Sequence, residues 1–343
     1  MMPSKPNKIS DLGEKKLVKR LLSKTQNPRV KSFFLDEISI KSLSDDAALL
    51  DFGENYLVAC SDMLMKSSHF PDAMTAYQMG RKVVTVNVSD LAAMGAKAIG
   101  IIVSMGLPKN MMLSEFDDLV EGIIEACERY DMVLIGGDTN ESSELTLCGT
   151  FIGIVKKDNV LLKSGARPGD IVAVTGSLGL AAAGFEALFY SFDLNGLDTA
   201  AKDLILKHAL EPEARLEEGI LLGKSGSVTS ATDITDGLLS EIGEMVDASE
   251  GAVGMVINQK DLPIPKEVFE VADITGNDPL EMAIAYGEDF ELLLTVPRDF
   301  FDDLKSRIQL YKIGFVDSSG RIKMIDKSGE INIITPRGYE HLK

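Results

Sequence analysis

Apolar and polar residues change their spacing several times along this chain, and each change marks an element. Leu12 to Leu22 carries apolar residues at helical intervals and predicts a helix, with a loop following to about residue 30. Asp46–Phe52 and Tyr56–Ser61 predict two short strands split by the turn Gly53-Glu54-Asn55. Thr75 to Met94 predicts a long helix. Its small residues Gly80, Ala92, Ala93 and Gly95 suit close packing on a sheet. Ala98–Met105 reads as an apolar strand. Met111–Tyr130 reads as a helix with a capping-box-like Ser114 followed by Asp117. A strand at Met132–Ile135 is expected to stop at Gly136-Gly137-Asp138, and Leu145–Val155 is another strand. The order β-β-α-β-α-β-β makes one α/β unit.

Lys156-Lys157-Asp158-Asn159 is the expected boundary, dividing the chain into domains 1–155 and 156–343. Beyond it, Lys163 to Asp170 is a turn-dense loop, Ile171–Val174 a strand, and Thr175-Gly176-Ser177-Leu178-Gly179 a lead into an alanine-rich helix. A helix-rich stretch covers Leu197–Leu222. Asp233–Asp236 opens a helix at Gly237–Asp247, with strands at Gly254–Ile257 and Phe290–Val296 and short strands from Ile313 to Ile334. The second half is therefore a second mixed α/β domain.

Composition adds charge to this picture. The 343 residues hold 53 Asp+Glu against 35 Lys+Arg, a net charge of −18. A field of that sign repels nucleic-acid backbones and anionic membrane surfaces, so neither is an expected partner. The first 20 residues are polar and lysine-rich, and no run of about 18 apolar residues exists, so a cytoplasmic protein is expected. Three scattered cysteines, Cys60, Cys127 and Cys148, fit buried thiols rather than disulfides or zinc, and three histidines are too few for a histidine-built metal site.

The acids cluster where α/β folds place ligands. Asp45-Asp46 precede a strand, Asp62 ends one, and Asp90 shares a helix face with Asn87. Asp138 follows two glycines, Asp233 and Asp236 stand before Gly237, and Glu288-Asp289 follow Gly287. Any one of them could be a helix cap or a turn residue. Gathered at strand ends, they are costly unless they hold cations, and oxygen ligands without His or Cys favour Mg²⁺ or Ca²⁺. Gly223-Lys224-Ser225 ends like a phosphate-binding loop, but Glu218 stands where that loop needs glycine. Thr175 to Gly179 could offer N–H groups to an anion or be a tight turn. Lys163 could reach a phosphate or lie solvated, and His69 could touch a ligand or stand exposed.

Taken in order, these segments resemble the thiamine-monophosphate kinase family, in the ATP-binding superfamily of aminoimidazole ribonucleotide synthetase and selenophosphate synthetase. The resemblance rests on Ser44-Asp45-Asp46, Ser61-Asp62, His69-Phe70, Asn87-Val88-Ser89-Asp90-Leu91-Ala92-Ala93-Met94-Gly95-Ala96, Gly136-Gly137-Asp138-Thr139, Lys163 to Asp170, Asp233-Ile234-Thr235-Asp236-Gly237-Leu238 and Gly287-Glu288-Asp289. It runs from about residue 40 to the C-terminus.

The resemblance implies two mixed α/β domains of the aminoimidazole ribonucleotide synthetase type. The N-terminal domain would bind ATP and Mg²⁺ and pair in a homodimer. The implied reaction is Mg²⁺-dependent, in-line transfer of the ATP γ-phosphoryl group to thiamine monophosphate. Asp46, Ser61, Asp62, Asp90, Asp138, Asp233 and Asp236 match metal positions, and Asp46, Asp90, Asp138 and Asp236 are the implied catalytic set. Gly137, Asp138, Lys163 and Thr235 match nucleotide positions, and His69, Glu288 and Tyr339 substrate positions. Three places depart from the family: Ser44 replaces a glycine, Tyr286 replaces another, and Lys163 replaces an arginine, exchanging a two-pronged phosphate grip for a point charge. Another superfamily member, or a nucleotide-binding dimer whose acids act as caps, is the alternative. Residues 1–43 lack the cysteine expected of selenophosphate synthetase, and the chain ends without the cysteine of hydrogenase-maturation relatives.

Overall fold

The computed structural model describes residues 14–25, 40–41, 45–189, 194 and 196–340. The first predicted helix is present as Glu14–Thr25; Leu12, Gly13, the loop after it and Ser44 lie outside the described residues.

Six strands form the first sheet: β1 (Ile40–Lys41), β2 (Ala48–Phe52), β3 (Asn55–Met65), β4 (Lys97–Leu107), β5 (Val133–Glu141) and β6 (Thr146–Lys156). Their order is β1-β2-β3-β6-β4-β5. All neighbours are antiparallel except β4 and β5, which the Leu113–Arg129 helix joins by a crossover, as a parallel pair requires. β6 alternates half-buried and buried residues along nearly its whole length, the period-2 pattern of a strand with one covered face.

β5 differs from the expectation. The chain does not stop at Gly136-Gly137 but runs straight through them to Glu141, so Asp138 sits within an exposed edge strand. A Cβ on Gly137 would lie 2.1 Å from the Val103 carbonyl oxygen, so glycine here permits close strand contact rather than a turn. The Leu113–Arg129 helix also starts differently. Met112 is its N-cap, and Glu115 rather than Asp117 reaches back, accepting the Met112 N–H at 2.9 Å.

The second sheet contains β7 (Ile171–Val174), β8 (Ser230–Asp233), β9 (Gly254–Asn258), β10 (Leu292–Val296), β11 (Tyr311–Asp317), β12 (Ile322–Ile325) and β13 (Ile331–Ile334). Its order is β13-β12-β9-β11-β7-β10-β8, with only β9–β12 parallel. β7, β8 and β10 are buried throughout because both faces are covered. Helices Leu180–Phe189, Thr199–Leu210, Leu216–Ser225 and Leu238–Ala248 match the expected helical stretches. Helices Lys266–Thr275, Pro279–Ile284 and Arg298–Arg307 had not been read from the sequence. Gly223-Lys224-Ser225 ends a helix at left-handed Gly226, as the absence of a phosphate loop requires.

The two sheets share one continuous core. Val83, Leu91, Phe151, Ile171, Ala173, Leu292 and Leu294 belong to a single buried cluster. The Ala76–Ala93 helix lies inside it and touches helices as well as strands, because its small residues admit them. Gly219 of the Leu216–Ser225 helix and Gly122 of the Leu113–Arg129 helix each approach its backbone: a Cβ would stand 2.1 Å from the Ala92 oxygen or 2.0 Å from the Tyr77 oxygen. Gly122→Val therefore forces the two helices apart, and an overpacking loss of about 1–3 kcal/mol is expected in urea unfolding. An unchanged midpoint would contradict so close a contact.

Candidate functional site

The acids of five separate segments meet at the junction of the two sheets. Asp45 and Asp46 come from the bend before β2, Asp62 from mid-β3, Asp90 from the buried helix, Asp233 from the end of β8 and Asp236 from the turn after it. With Ser61, Lys163, Thr235, Glu241 and Glu244 they line a cavity of about 320 Å³. Cys60 also lines it. Cys127 alone of the three cysteines is buried; Cys60 and Cys148 are half-buried, and all three are free thiols.

The positions place the acids outside ordinary structural use. Asp90 is interior to a helix and Asp62 interior to a strand, so neither caps anything. Gly237, not Asp236, is the N-cap of the Leu238–Ala248 helix. Gly237 has φ 108°, and a Cβ there would press on the Tyr286 oxygen at 2.7 Å, so the turn that presents Asp236 needs glycine. Asn87 holds Asp62 in place: its Oδ1 accepts the Asp62 N–H at 3.1 Å while its Nδ2 donates to the Val83 oxygen. Ser61 donates to the Gly149 carbonyl at 3.0 Å, on the partner strand.

Lys163 is neither solvated nor extended toward an open phosphate position. It is 7% exposed, and its Nζ lies 2.8 Å from Asp46 and 2.6 Å from Glu244. Its N–H also donates to Asp45 at 3.1 Å. Thr232 donates to the same Asp46 oxygen at 3.0 Å. Burial alone would lower the Lys163 pKa, but Asp46, Glu244 and Glu241 outweigh it and hold the ammonium protonated.

Burial raises the acids, and neighbouring carboxylates raise Asp45, Asp90 and Asp233 further. Asp45 is pushed up to about 6 by burial and by Asp46. Burial and Asp46 push Asp233 up to about 8. Asp90 stands well above the carboxylate range through burial and the charges of Asp62, Asp233 and Asp46. Asp46 Oδ2 and Asp233 Oδ2 are buried and accept no hydrogen bond. Among the described residues no three acids, cysteines or histidines form a ready-made ligand cage. The acids line the cavity walls instead, leaving coordination positions to water or a phosphate ligand, the way Mg²⁺ is usually held.

Other expected residues lie apart from this cavity. Gly137 and Asp138 stand on the β5 edge, Asp138 opposite Ser104 of β4, and do not line it. His69 accepts the Met65 N–H at its Nδ1 (3.1 Å), tying it to its own short helix. Glu288 donates its N–H to the Thr235 oxygen (2.8 Å), and Tyr339 donates its N–H to the Asp236 oxygen (2.9 Å). Both therefore border the acid-bearing turn. Burial raises the Tyr339 hydroxyl, with Glu288 and Asp236 adding to it. The Thr175–Gly179 turn is not an anion site. Asp289 accepts the Gly179 N–H, and the Glu291 carboxylate fills the space where a Gly176 side chain would go.

Three residues at or beside the site were not foreseen: Glu241 and Glu244, which line the cavity, and Lys82. Lys82 is fully buried and pairs with Glu288. A lysine in the stripe Met79, Lys82, Val83, Val86, Asp90 was the available signal, since an ammonium on an apolar face requires a partner.

Residues 44–155 match the AIR synthase related protein, N-terminal domain, and residues 167–327 the AIR synthase related protein, C-terminal domain. The chain is 36% identical over 324 residues to thiamine-monophosphate kinase of Pyrococcus horikoshii, covering 94% of this chain and 98% of that one. It is 32% identical to the Bacillus subtilis thiamine-monophosphate kinase over 88% of this chain and 93% of the other. Among solved structures, AaThiL complexed with AMPPCP and TMP superposes with a TM-score of 0.83 at 25% identity, covering 98% of this chain and all of that one.

Between the ordinary 3.8 and about 8 the folded protein keeps a proton on Asp233 that the unfolded chain has released. Without added metal, stability therefore falls as the pH rises through that window and levels off above it. Asp233→Asn has no proton to lose, so its melting temperature drops less than wild type between pH 5 and pH 8. Equal drops would count against the buried position of Asp233.

Proposed function

Because this chain belongs to the thiamine-monophosphate kinase family of AIR synthase related proteins, we propose that it transfers the γ-phosphoryl group of ATP to thiamine monophosphate, giving thiamine diphosphate and ADP. The observation that carries this reading is the meeting of Asp46, Asp62, Asp90, Asp233 and Asp236 on one cavity that no histidine lines.

Such a lining suits this chemistry. The acceptor is a phosphate oxygen already ionised at neutral pH, so no general base is needed. The barrier is largely that of bringing two polyanions together, and in-line transfer then depends on position and charge neutralisation. The residues fit Mg²⁺: two buried carboxylate oxygens, on Asp46 and Asp233, accept no hydrogen bond, and the donor set is all oxygen. Asp46, Asp62, Asp90, Asp233 and Asp236, with Ser61 beside them, would hold the metal. When bound, Mg²⁺ supplies the positive charge that lets phosphates enter an acidic cavity.

The chain's own residues do the rest. Lys163 holds Asp46 and Glu244 together and adds a positive charge to the nucleotide side of the cavity wall without reaching out of that pair. Thr235 presents its backbone beside Asp236. Glu288, His69 and Tyr339 form the acceptor end, where an acidic carboxylate and an aromatic ring suit a thiazolium cation. Gly137 and Asp138, on β5, serve the nucleotide from an edge that pairs in a homodimer. Among the described residues β5 is an unpaired edge bearing exposed Val133 (60%) and Ile135 (50%), the kind of strand that natural proteins cover. No helix among the described residues is long and apolar enough to cross a membrane.

A coupled assay with ATP and Mg²⁺ should release ADP only when thiamine monophosphate is present. Release without it would defeat the reading, and no release at all would favour a nucleotide-binding dimer. Asp46→Asn, Asp90→Asn and Asp236→Asn should each lower kcat by at least about 100-fold in folded protein. Full activity in all three would remove the metal assignment. Ile135→Lys should shift the mass in sedimentation equilibrium from dimer to monomer; an unchanged mass would exclude the β5 edge as the interface.

A further inference from the structure

One buried cation takes no part in the reading above. Lys82 lies in the middle of the Ala76–Ala93 helix with none of its surface exposed. Its Nζ donates to Glu288 Oε2 at 2.6 Å, to Glu288 Oε1 at 2.7 Å and to the His69 carbonyl at 2.9 Å. Those three acceptors match the three protons of an ammonium. The Phe185 ring, 5.3 Å from Nζ, covers another side.

Stability does not explain this arrangement. Replacing a buried ion pair by apolar residues of similar volume is often neutral or stabilising, whereas leaving one partner alone is costly. Its distinctive result is geometric. Lys82 belongs to the helix packed on the first sheet, and Glu288 to the turn that enters β10 of the second. The turn is strained: Glu288 has φ 67° and Phe290 φ 51°, both left-handed without being glycine. Such conformations persist where surrounding contacts impose them, and they gather at functional sites. Two contacts impose this one. The Glu288 N–H is held by Thr235, and its carboxylate is gripped at both oxygens by Lys82. The grip leaves 27% of the Glu288 side chain open to an approaching ligand.

We propose that Lys82 is a positioning residue for the phosphate acceptor. It holds the Glu288 carboxylate and the His69 main chain as one unit, and so sets affinity for a phosphate ester that carries an organic cation. The proposal rests on the kinase reading, with Glu288 and His69 at the acceptor end. Lys82 touches neither the cavity acids nor Lys163 among its hydrogen-bond partners, so its effect falls on one substrate. It acts through Glu288, so removing Glu288 first should leave Lys82 little more to do.

The test is a double-mutant cycle on the full chain: Lys82→Met, Glu288→Gln and both together, with KM for each substrate and the melting temperature. Lys82→Met should raise KM for thiamine monophosphate about tenfold or more, with KM for ATP within about twofold. Glu288→Gln should do the same, and the double variant should match Glu288→Gln rather than multiply the two effects. The double variant buries no lone charge, so it provides the comparison even if Lys82→Met folds poorly. Two results would overturn the proposal: a folded double variant with unchanged KM for thiamine monophosphate, or KM values for both substrates rising together. If wild type releases ADP with no need of thiamine monophosphate, the kinase reading fails and the proposal falls with it. If wild type is a thiamine-monophosphate kinase and only melting temperatures change across the cycle, the proposal alone fails.

Discussion

The ammonium of Lys163 joins two walls of negative charge. It lies 2.8 Å from Asp46, on the approach to β2, and 2.6 Å from Glu244, on the helix behind β8. Without a cation between them, the buried Asp46 carboxylate would face Glu244 with no counter-charge, and an uncompensated buried charge is among the costliest arrangements in a protein. The rest of the site is built to the same constraint. Asp46 takes a second hydrogen bond from Thr232, Asp45 accepts the Lys163 main chain, and Asp62 is fixed through Asn87. What these contacts leave unsatisfied, two buried carboxylate oxygens, is the capacity for a further cation.

The protein uses two lysines in parallel ways. Each reaches from the first α/β unit or the segment that follows it to an acid of the second sheet's unit. Lys163 meets Glu244 in the cavity, and Lys82 meets Glu288 at its border. Both pairs span a junction that the shared apolar core already closes, so their contribution is orientation more than adhesion. The net charge of −18 takes on a more definite meaning here. Ten carboxylates lie in the motif segments, more than half of that excess, and several of them surround one cavity. The remaining acids are distributed elsewhere along the chain.

Most of the fold was legible from spacing. The Ala76–Ala93 helix, strands β3, β4 and β6 and the Ile171–Val174 strand lie close to where alternation and helical period put them. The misreadings share a cause. Gly136-Gly137 looked like a strand end, because a glycine needed for close contact with Val103 cannot be told locally from one needed for a turn. Ser114 looked like a cap, but the helix began two residues earlier, where Glu115 could reach the Met112 N–H. For Thr175–Gly179 the sequence leaves an anion site and a tight turn open, and the structure selects the turn, because Asp289 and Glu291, more than a hundred residues later, occupy it.

By itself the sequence determined most of the elements, the excess of acids and the resemblance that links them to a phosphoryl-transfer family, since each is written in local order and composition. Only the tertiary structure decided which acids share a cavity, that Lys163 is enclosed between two of them, and that Lys82 grips Glu288 across 206 positions of chain. The physical reason is that a side chain's charge state and role depend on burial and on neighbours brought from distant segments. Those are properties of packing, and no local run of residues contains them.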